Sequence, residues 1–200
     1  MNFDIQILGT HTTWFELFAV LCGLLSVWFM KKENILVYPF GVLDVFIYVY
    51  ICFSAKLYAY AGINVFYAVM SIYGWYNWVR KGPDDESLKI TRLKKSHIVG
   101  YLCLILVFFV VLRVLLVTLT NSEVPTWDAV TTAVYIVGMW LLARKKIENW
   151  IAWIAGDTIS VALFAYEKLY FSSFQFLVFT IIAIFGFLEW RNKLLQASHS

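Results

Sequence analysis

KLYAYAGINVFYAVMSIYGWYNW, residues 56–78, decides the fold, because its framework returns as KLYFSSFQFLVFTIIAIFGFLEW, residues 168–190. Lys56-Leu57-Tyr58 matches Lys168-Leu169-Tyr170, Gly74 matches Gly186 and Trp78 matches Trp190, each pair 112 residues apart. Working outward, Glu16 and Asp128 keep the same offset near the starts of two apolar runs. KKEN (31–34) and RKKIEN (144–149) end those runs with basic turns. One match of this kind is weak; several in a single register argue for a duplicated unit.

The runs themselves are apolar enough to name the solvent. Hydrophobic residues make up 62% of the 200 and charged residues 14%, with a mean hydropathy of +0.74. A water-soluble domain of this size has too little interior for that much apolar surface, whereas a lipid bilayer takes about 20 apolar residues per helical span. Seven stretches qualify, roughly 14–30, 35–53, 59–79, 98–119, 127–143, 150–166 and 172–190. The expected fold is an all-α membrane protein, one domain over 1–200. Its seven transmembrane helices form repeat one (14–79), a linker helix (98–119) and repeat two (127–190).

Charge placement sets an expected orientation. With connections assigned to alternating sides, two Lys or Arg fall on one side and thirteen on the other. The positive-inside rule then puts the N-terminus outside and the C-terminus in the cytoplasm. Both repeats begin outside and end inside, so they are parallel, and three-helix copies in parallel need an odd number of spans between them. The fourth span supplies one, a plan used by transporters whose site lies between the repeats. Arg113 in that span is expected to snorkel outward or to pair at a subunit contact. The basic loops serve orientation and call for no nucleic-acid partner. The residues before the first span carry no Lys or Arg, so no secretory signal is visible. Cys22, Cys52 and Cys103 lack metal-type spacing and read as small buried hydrophobes.

Two carboxylates sit in the oil. Asp157, in WIAGD (153–157), lies about 10 Å into the sixth span at 1.5 Å per residue, and Asp44, in FGVLD (40–44), has a similar depth in the second. Phe40 precedes Asp44 by four residues and Trp153 precedes Asp157 by four, which places an aromatic and an acid on one helix face in each repeat. A charge at mid-helix costs about 2.5–3.5 kcal/mol on insertion scales. One explanation is internal: the acids bond to neighbours such as Ser160, Thr158 or Tyr48 and hold helices together. The other is a polar cavity that receives a flat cation, with charge pairing on the acid and cation–π contact on the ring. Asn64, Tyr67, Ser71, Trp75 and Trp78 share one face of the third span and would wall such a cavity. Thr131, Thr132 and Tyr135 on the fifth span and Gln175 on the seventh are further polar groups at depth. Trp190 and Tyr170 are expected in the interfacial belt, and Pro39 marks a candidate hinge.

Several function classes find no residues here. GxxxxGK, GxGxxG and HExxH are absent, and His11, His97 and His199 are scattered, so neither a nucleotide-driven pump nor a metal or Ser–His hydrolase is indicated, and no cofactor is implied. An intramembrane aspartyl protease pairs two acids that share a proton, and here each acid instead has a bulky aromatic one turn before it, Phe40 or Trp153. A structural or scaffold membrane protein is the alternative from another class.

IYGWYNW (72–78), WDAVTTAVYIVGMWLLARKKIENW (127–150), the WxxxD pattern at 153–157 and IAIFGFLEWR (182–191) resemble the PnuC family of bacterial vitamin transporters, over nearly the whole chain. The resemblance implies a three-plus-one-plus-three SWEET-like transporter of the inner membrane, assembled as a homotrimer. It implies uptake of nicotinamide riboside by facilitated diffusion, trapped by cytoplasmic phosphorylation, with thiamine or riboflavin carried by relatives. It points to Trp153, position 157 and Gln175 as substrate-binding, with an aromatic and polar wall from the first repeat, for which the reading of the residues supplies Asp44, Phe40, Asn64, Tyr67 and Trp75. The sequence departs from the family at Asp157, where riboside carriers bear Asn. A carboxylate cannot donate to a carboxamide but accepts from the aminopyrimidine of thiamine, so thiamine stands close behind nicotinamide riboside.

Overall fold

The computed structural model describes residues 4–7, 10–54, 58–80, 88–120, 124–166, 168 and 170–197. Lys56, Leu57 and Leu169 of the repeated words lie outside the described residues, as does the side chain of Glu16.

Among the described residues, seven helices follow the seven apolar stretches closely: α1 Trp14–Lys31, α2 Val37–Ser54, α3 Tyr58–Val79, α4 Lys95–Leu119, α5 Pro125–Ala143, α6 Asn149–Tyr166 and α7 Tyr170–Ala197. One element was not expected. Strands β1 (Asp4–Ile7) and β2 (Thr10–Thr13) pair antiparallel with Asp4 opposite Thr13 and Ile7 opposite Thr10. The alternation of Asp4, Ile5, Gln6, Ile7 and the β-branched threonines after it carry the strand signal. Within the described residues, Lys95–Leu119, Pro125–Ala143 and Ser172–Ala197 are long and apolar enough to cross a membrane, and Leu17–Lys31 and Val37–Ile51 are shorter apolar stretches. α3 and α6 fall short because they carry Asn64, Ser71, Asp157 and Ser160 among their apolar residues.

Six helices close a ring. α1 packs on α2, α2 on α3, α3 on α5, α5 on α6, α6 on α7, and α7 returns to α1. α4 lies outside, against α5. Leu116 is the one buried residue on α4 among those described, and Val99, Leu102 and Val107 are exposed along it. Cys103 is exposed on the same helix, which corrects its reading as a buried hydrophobe; Cys22 is buried. Arg113 donates from Nε to Thr126 Oγ1 at 3.1 Å, so it finds its partner at the start of α5.

Contacts recur at the offset seen in the sequence. α1 ends at a left-handed residue, Glu33 (φ 55°), and α5 ends at another, Lys145 (φ 47°). In each turn the left-handed residue donates to the carbonyl three back and the next residue to the carbonyl five back: Glu33 to Met30 and Asn34 to Phe29, then Lys145 to Leu142 and Lys146 to Leu141. This is the Schellman closure that usually employs glycine. A side chain held in that conformation costs about 1–3 kcal/mol. The compensation is mutual, because Lys145 Nζ lies 3.4 Å from Glu33 Oε2. Lys193 adds a 2.8 Å contact to the other oxygen.

The same duplication builds the core at this end. Tyr38 meets Trp78 edge-on at 5.3 Å, and Trp150 meets Trp190 edge-on at 5.5 Å. A methyl on Gly74 would come to 2.6 Å from the Tyr38 ring, and one on Gly186 to 2.5 Å from the Trp150 ring. These glycines exist so that an aromatic can lie on the helix backbone. Trp78 Nε1 donates to Leu142 O at 3.1 Å and Trp190 Nε1 to Lys31 O at 3.2 Å, each reaching across to the other half. Trp190 is fully buried, which corrects its assignment to the interfacial belt: its ring is needed against Trp150. Tyr170 is exposed. Pro39 stands in the first turn of α2, where no helical bond needs its missing N–H, so it does not break the helix.

Candidate functional site

The ring helices enclose a cavity of about 270 Å³ next to this aromatic core. All six contribute lining residues: Gly23 and Ser26 from α1, Gly41 and Asp44 from α2, Asn64, Tyr67 and Ser71 from α3, Tyr135 and Met139 from α5, Trp153 and Asp157 from α6, and Phe176 and Phe179 from α7. α4 contributes none. The volume is close to the small end of ligand pockets, about 300 Å³. The lining has the usual mixture, mostly apolar with a few polar groups that fix orientation.

The second half supplies a rigid plate. Tyr135 stacks on Trp153 with centroids 5.3 Å apart and rings inclined by 30°. The Tyr135 hydroxyl donates to Asp157 Oδ1 at 2.9 Å and lies 3.0 Å from Ser160 Oγ. Asp157 and Ser160 are both buried, at 4% and 3% exposure, so the three form a satisfied polar knot that pins the plate. Gly156 makes it possible, since a side chain there would run into the Tyr135 ring. Thr158, also considered as a partner of Asp157, donates instead to Ile154 O. Thr131 is tied to Trp127 O and Asp128 O.

The first half answers with an acid and two glycines. Gly23 and Tyr135 are 112 residues apart, as are Gly41 and Trp153, so glycines occupy the positions of both plate aromatics. Asp44 points at Gly23: its Oδ2 lies 3.4 Å from where a Cβ on that residue would be. Asp44 makes no hydrogen bond among the described residues.

Of the residues named from sequence, Trp153, Asp157, Asp44, Asn64 and Tyr67 come together in this lining. Phe40, Gln175 and Trp75 do not. Phe40 stacks on Phe29 at 5.4 Å, because at the 112 offset Trp153 corresponds to Gly41. Gln175 yields its place to Phe176. Trp75 is 38% exposed and borders a shallow outer groove with Tyr76 and Arg80. Near its end α3 turns Ser71, Gly74 and Trp78 inward, and Trp75 falls off that line. Tyr135, noted at sequence level only as a polar group at depth, proves central; the signal was its offset from Gly23. No cluster of His, Cys, Asp and Glu that could hold a metal occurs among the described residues.

Comparison with known proteins gives a consistent set of likenesses. A profile of nicotinamide mononucleotide transporters matches residues 13–192. The nicotinamide riboside transporter PnuC of Escherichia coli (strain K12) is 30% identical over 210 residues, covering 92% of this chain and 88% of that protein. The riboflavin/roseoflavin transporter RibM of Streptomyces davaonensis is 23% identical over 184 residues, covering 90% and 85%. A crystal structure of the vitamin B3 transporter PnuC superposes with a TM-score of 0.73 at 26% identity, covering 90% of this chain and 81% of the other.

Proposed function

The chain belongs to the nicotinamide mononucleotide transporter family, the PnuC family its motifs resemble, and on that premise we propose that it admits nicotinamide riboside to the cell. It is a multi-pass membrane transporter and not an enzyme. The substrate, the route and the driving force are our reading. The observation that carries it is the cavity between the halves, where a stacked Tyr135–Trp153 plate and two aspartates share one lining. Nicotinamide riboside brings a flat pyridinium cation, which an aromatic face and a carboxylate both attract.

In this reading the riboside enters from the side opposite the basic turns. Its ring lies along the plate, with Asp44 and Asn64 facing it from the first half. The halves act as two parallel repeats, 14–79 and 127–190, joined by the linker helix, and rock about the cavity so that it opens to the cytoplasm. The recurring turns, aromatic pairs and cross-half tryptophan bonds support this reading. Transport is downhill, with phosphorylation inside the cell removing the product. The N-terminus lies outside and the C-terminus in the cytoplasm, as the thirteen-to-two bias of basic residues favours. The exposed apolar face of α4 suits lipid or the neighbours of a trimer.

Thiamine, raised by Asp157 at the sequence level, gains nothing from the relatives. Asp157 already accepts a hydrogen bond from Tyr135, which gives the carboxylate an internal employment. Calorimetric titration of the purified protein with nicotinamide riboside and with thiamine tests the substrate. Binding of the riboside alone is expected; binding of thiamine alone would overturn the reading.

A further inference from the structure

The last two turns of α3 carry an apolar stripe turned away from the protein. Ile72, Trp75, Tyr76 and Val79 stand at i, i+3, i+4 and i+7, the spacing of a single helix face, and all four are exposed. They line the outer groove, whose remaining wall is Arg80. Ser71, Gly74 and Trp78 are the residues this stretch buries. None of the four lines the central cavity, so solute passage leaves the stripe without a use.

A second arginine stands close to the first. Asn77 Nδ2 donates to Ala143 O at 2.7 Å, so the end of α3, which Arg80 follows, meets the end of α5, which Arg144 follows. One to two turns further into the helices, Tyr73 stacks on Trp140 at 5.7 Å with the rings inclined by 9°. Each arginine lies over a ring at this seam, Arg80 over Tyr76 at 5.9 Å and Arg144 over Trp140 at 4.1 Å. A guanidinium laid on a ring keeps the N–H donors of its edge available.

The charge of these arginines is not balanced by acids. Lys31, Lys32, Lys145 and Lys193, at the same end, each reach Glu33 or Glu189 within 4.0 Å. Among the described residues, neither Arg80 nor Arg144 has an ion pair. The order along α3 is therefore cation, then aromatic rings, then aliphatic Ile72, over about 12 Å at 1.5 Å per residue. A phospholipid presents the complementary order, from phosphate to acyl chain.

We propose that the α3–α5 seam binds one anionic phospholipid of the leaflet on the side of the basic turns: its phosphate sits between Arg80 and Arg144, and an acyl chain runs in the groove along Val79, Trp75 and Ile72. A phosphodiester accepts charge-assisted hydrogen bonds from guanidinium groups. Two arginines favour a headgroup with no cation of its own, since a choline ammonium would face them with like charge. Basic clefts between helices at this level of a membrane are suited to such headgroups. The site gives Trp75 a role outside the solute cavity and does not depend on which vitamin is carried.

The test is native mass spectrometry of the full-length protein in detergent, titrated with dioleoyl phosphatidylglycerol and, separately, dioleoyl phosphatidylcholine. The wild type is expected to bind its first phosphatidylglycerol about 30-fold more tightly than phosphatidylcholine. Arg80→Gln and Arg144→Gln are each expected to reduce that preference about 5-fold, and the double variant to erase it. Both side chains are exposed, so the thermal midpoints of the lipid-free variants should match wild type. Arg191→Gln removes an exposed arginine on α7 that lies over no ring among the described residues, and is expected to keep the preference. Glycerophosphoglycerol, the same headgroup without chains, is expected not to compete at equal concentration; equal competition overturns the role of the groove. A wild type with no preference, or an Arg191→Gln protein that loses as much as Arg80→Gln, overturns the site. A smaller oligomer in the double variant would make this face a contact between copies of the chain and overturn the lipid assignment.

Discussion

The first and second halves make the same close contact with the sizes exchanged. On α1 and α2 the partners are Gly23 and Asp44; on α5 and α6 the residues 112 positions later are Tyr135 and Gly156. In each pair one glycine lets the other residue reach the facing helix. The second half spends that room on an aromatic ring and moves its acid one residue along, to Asp157, where the tyrosine hydroxyl can meet it. The first half fills that room with the Asp44 carboxylate itself, beside Phe179. The two halves thus line one cavity asymmetrically, with a plate on one side and an acid on the other, through the exchange of a few side chains. At the end with the basic turns the halves stay alike, down to paired Schellman turns and edge-on aromatics.

The largest expected effect bears on whether the asymmetric end is the working end. Asp44→Ala combined with Asp157→Ala should reduce uptake of labelled nicotinamide riboside to background in cells, with the protein still present in the membrane. Normal uptake would detach the comparison from function altogether. Next come the glycines under the aromatic pairs. Gly186→Ala and Gly74→Ala should each lower stability in detergent by about 1–3 kcal/mol, the usual cost of overpacking. Gly186 should cost more, because Trp150 is fully buried and Tyr38 is not quite so. A tolerated Gly186→Ala beside a damaging Gly74→Ala would break the likeness of the two cores.

Tyr135→Phe sharpens the difference at the cavity. It keeps the plate but leaves Asp157 and Ser160 without their shared partner, and should cost about 1–2 kcal/mol of stability. Stability equal to wild type, measured by thermal unfolding, would mean the knot holds nothing. The smallest effect belongs to the paired turns. Glu33→Gln and Lys145→Gln each break the same 3.4 Å pair and should cost about 1 kcal/mol or less, as partly exposed ion pairs do. Glu33→Gln should be the larger, since Glu33 also holds Lys193. A double variant costing no more than Glu33→Gln alone would locate the coupling in that one pair.

Much of this molecule was legible in its sequence, for reasons that are local. The bilayer imposes a length on every apolar run, so seven helices could be read within a few residues of their ends. The offset of 112 was visible because both halves carry a glycine under an aromatic and a tryptophan one turn later. Asp44 and Asp157 stood out because an acid in oil is expensive wherever it points. Direction and partnership were decided only by the tertiary structure. Phe40 and Trp153 looked equivalent because each stands four residues before an acid, but packing sets the register at Gly41. Trp190 looked interfacial because it ends a span, but it is buried under Trp150. Trp75 shares a face with Asn64 on an ideal helix, yet α3 meets its neighbours along Ser71, Gly74 and Trp78. The free acid and the bonded one read alike in one dimension. What separates them is whether the facing helix carries a tyrosine or a glycine, a fact that has meaning only once α1 lies on α2 and α5 on α6.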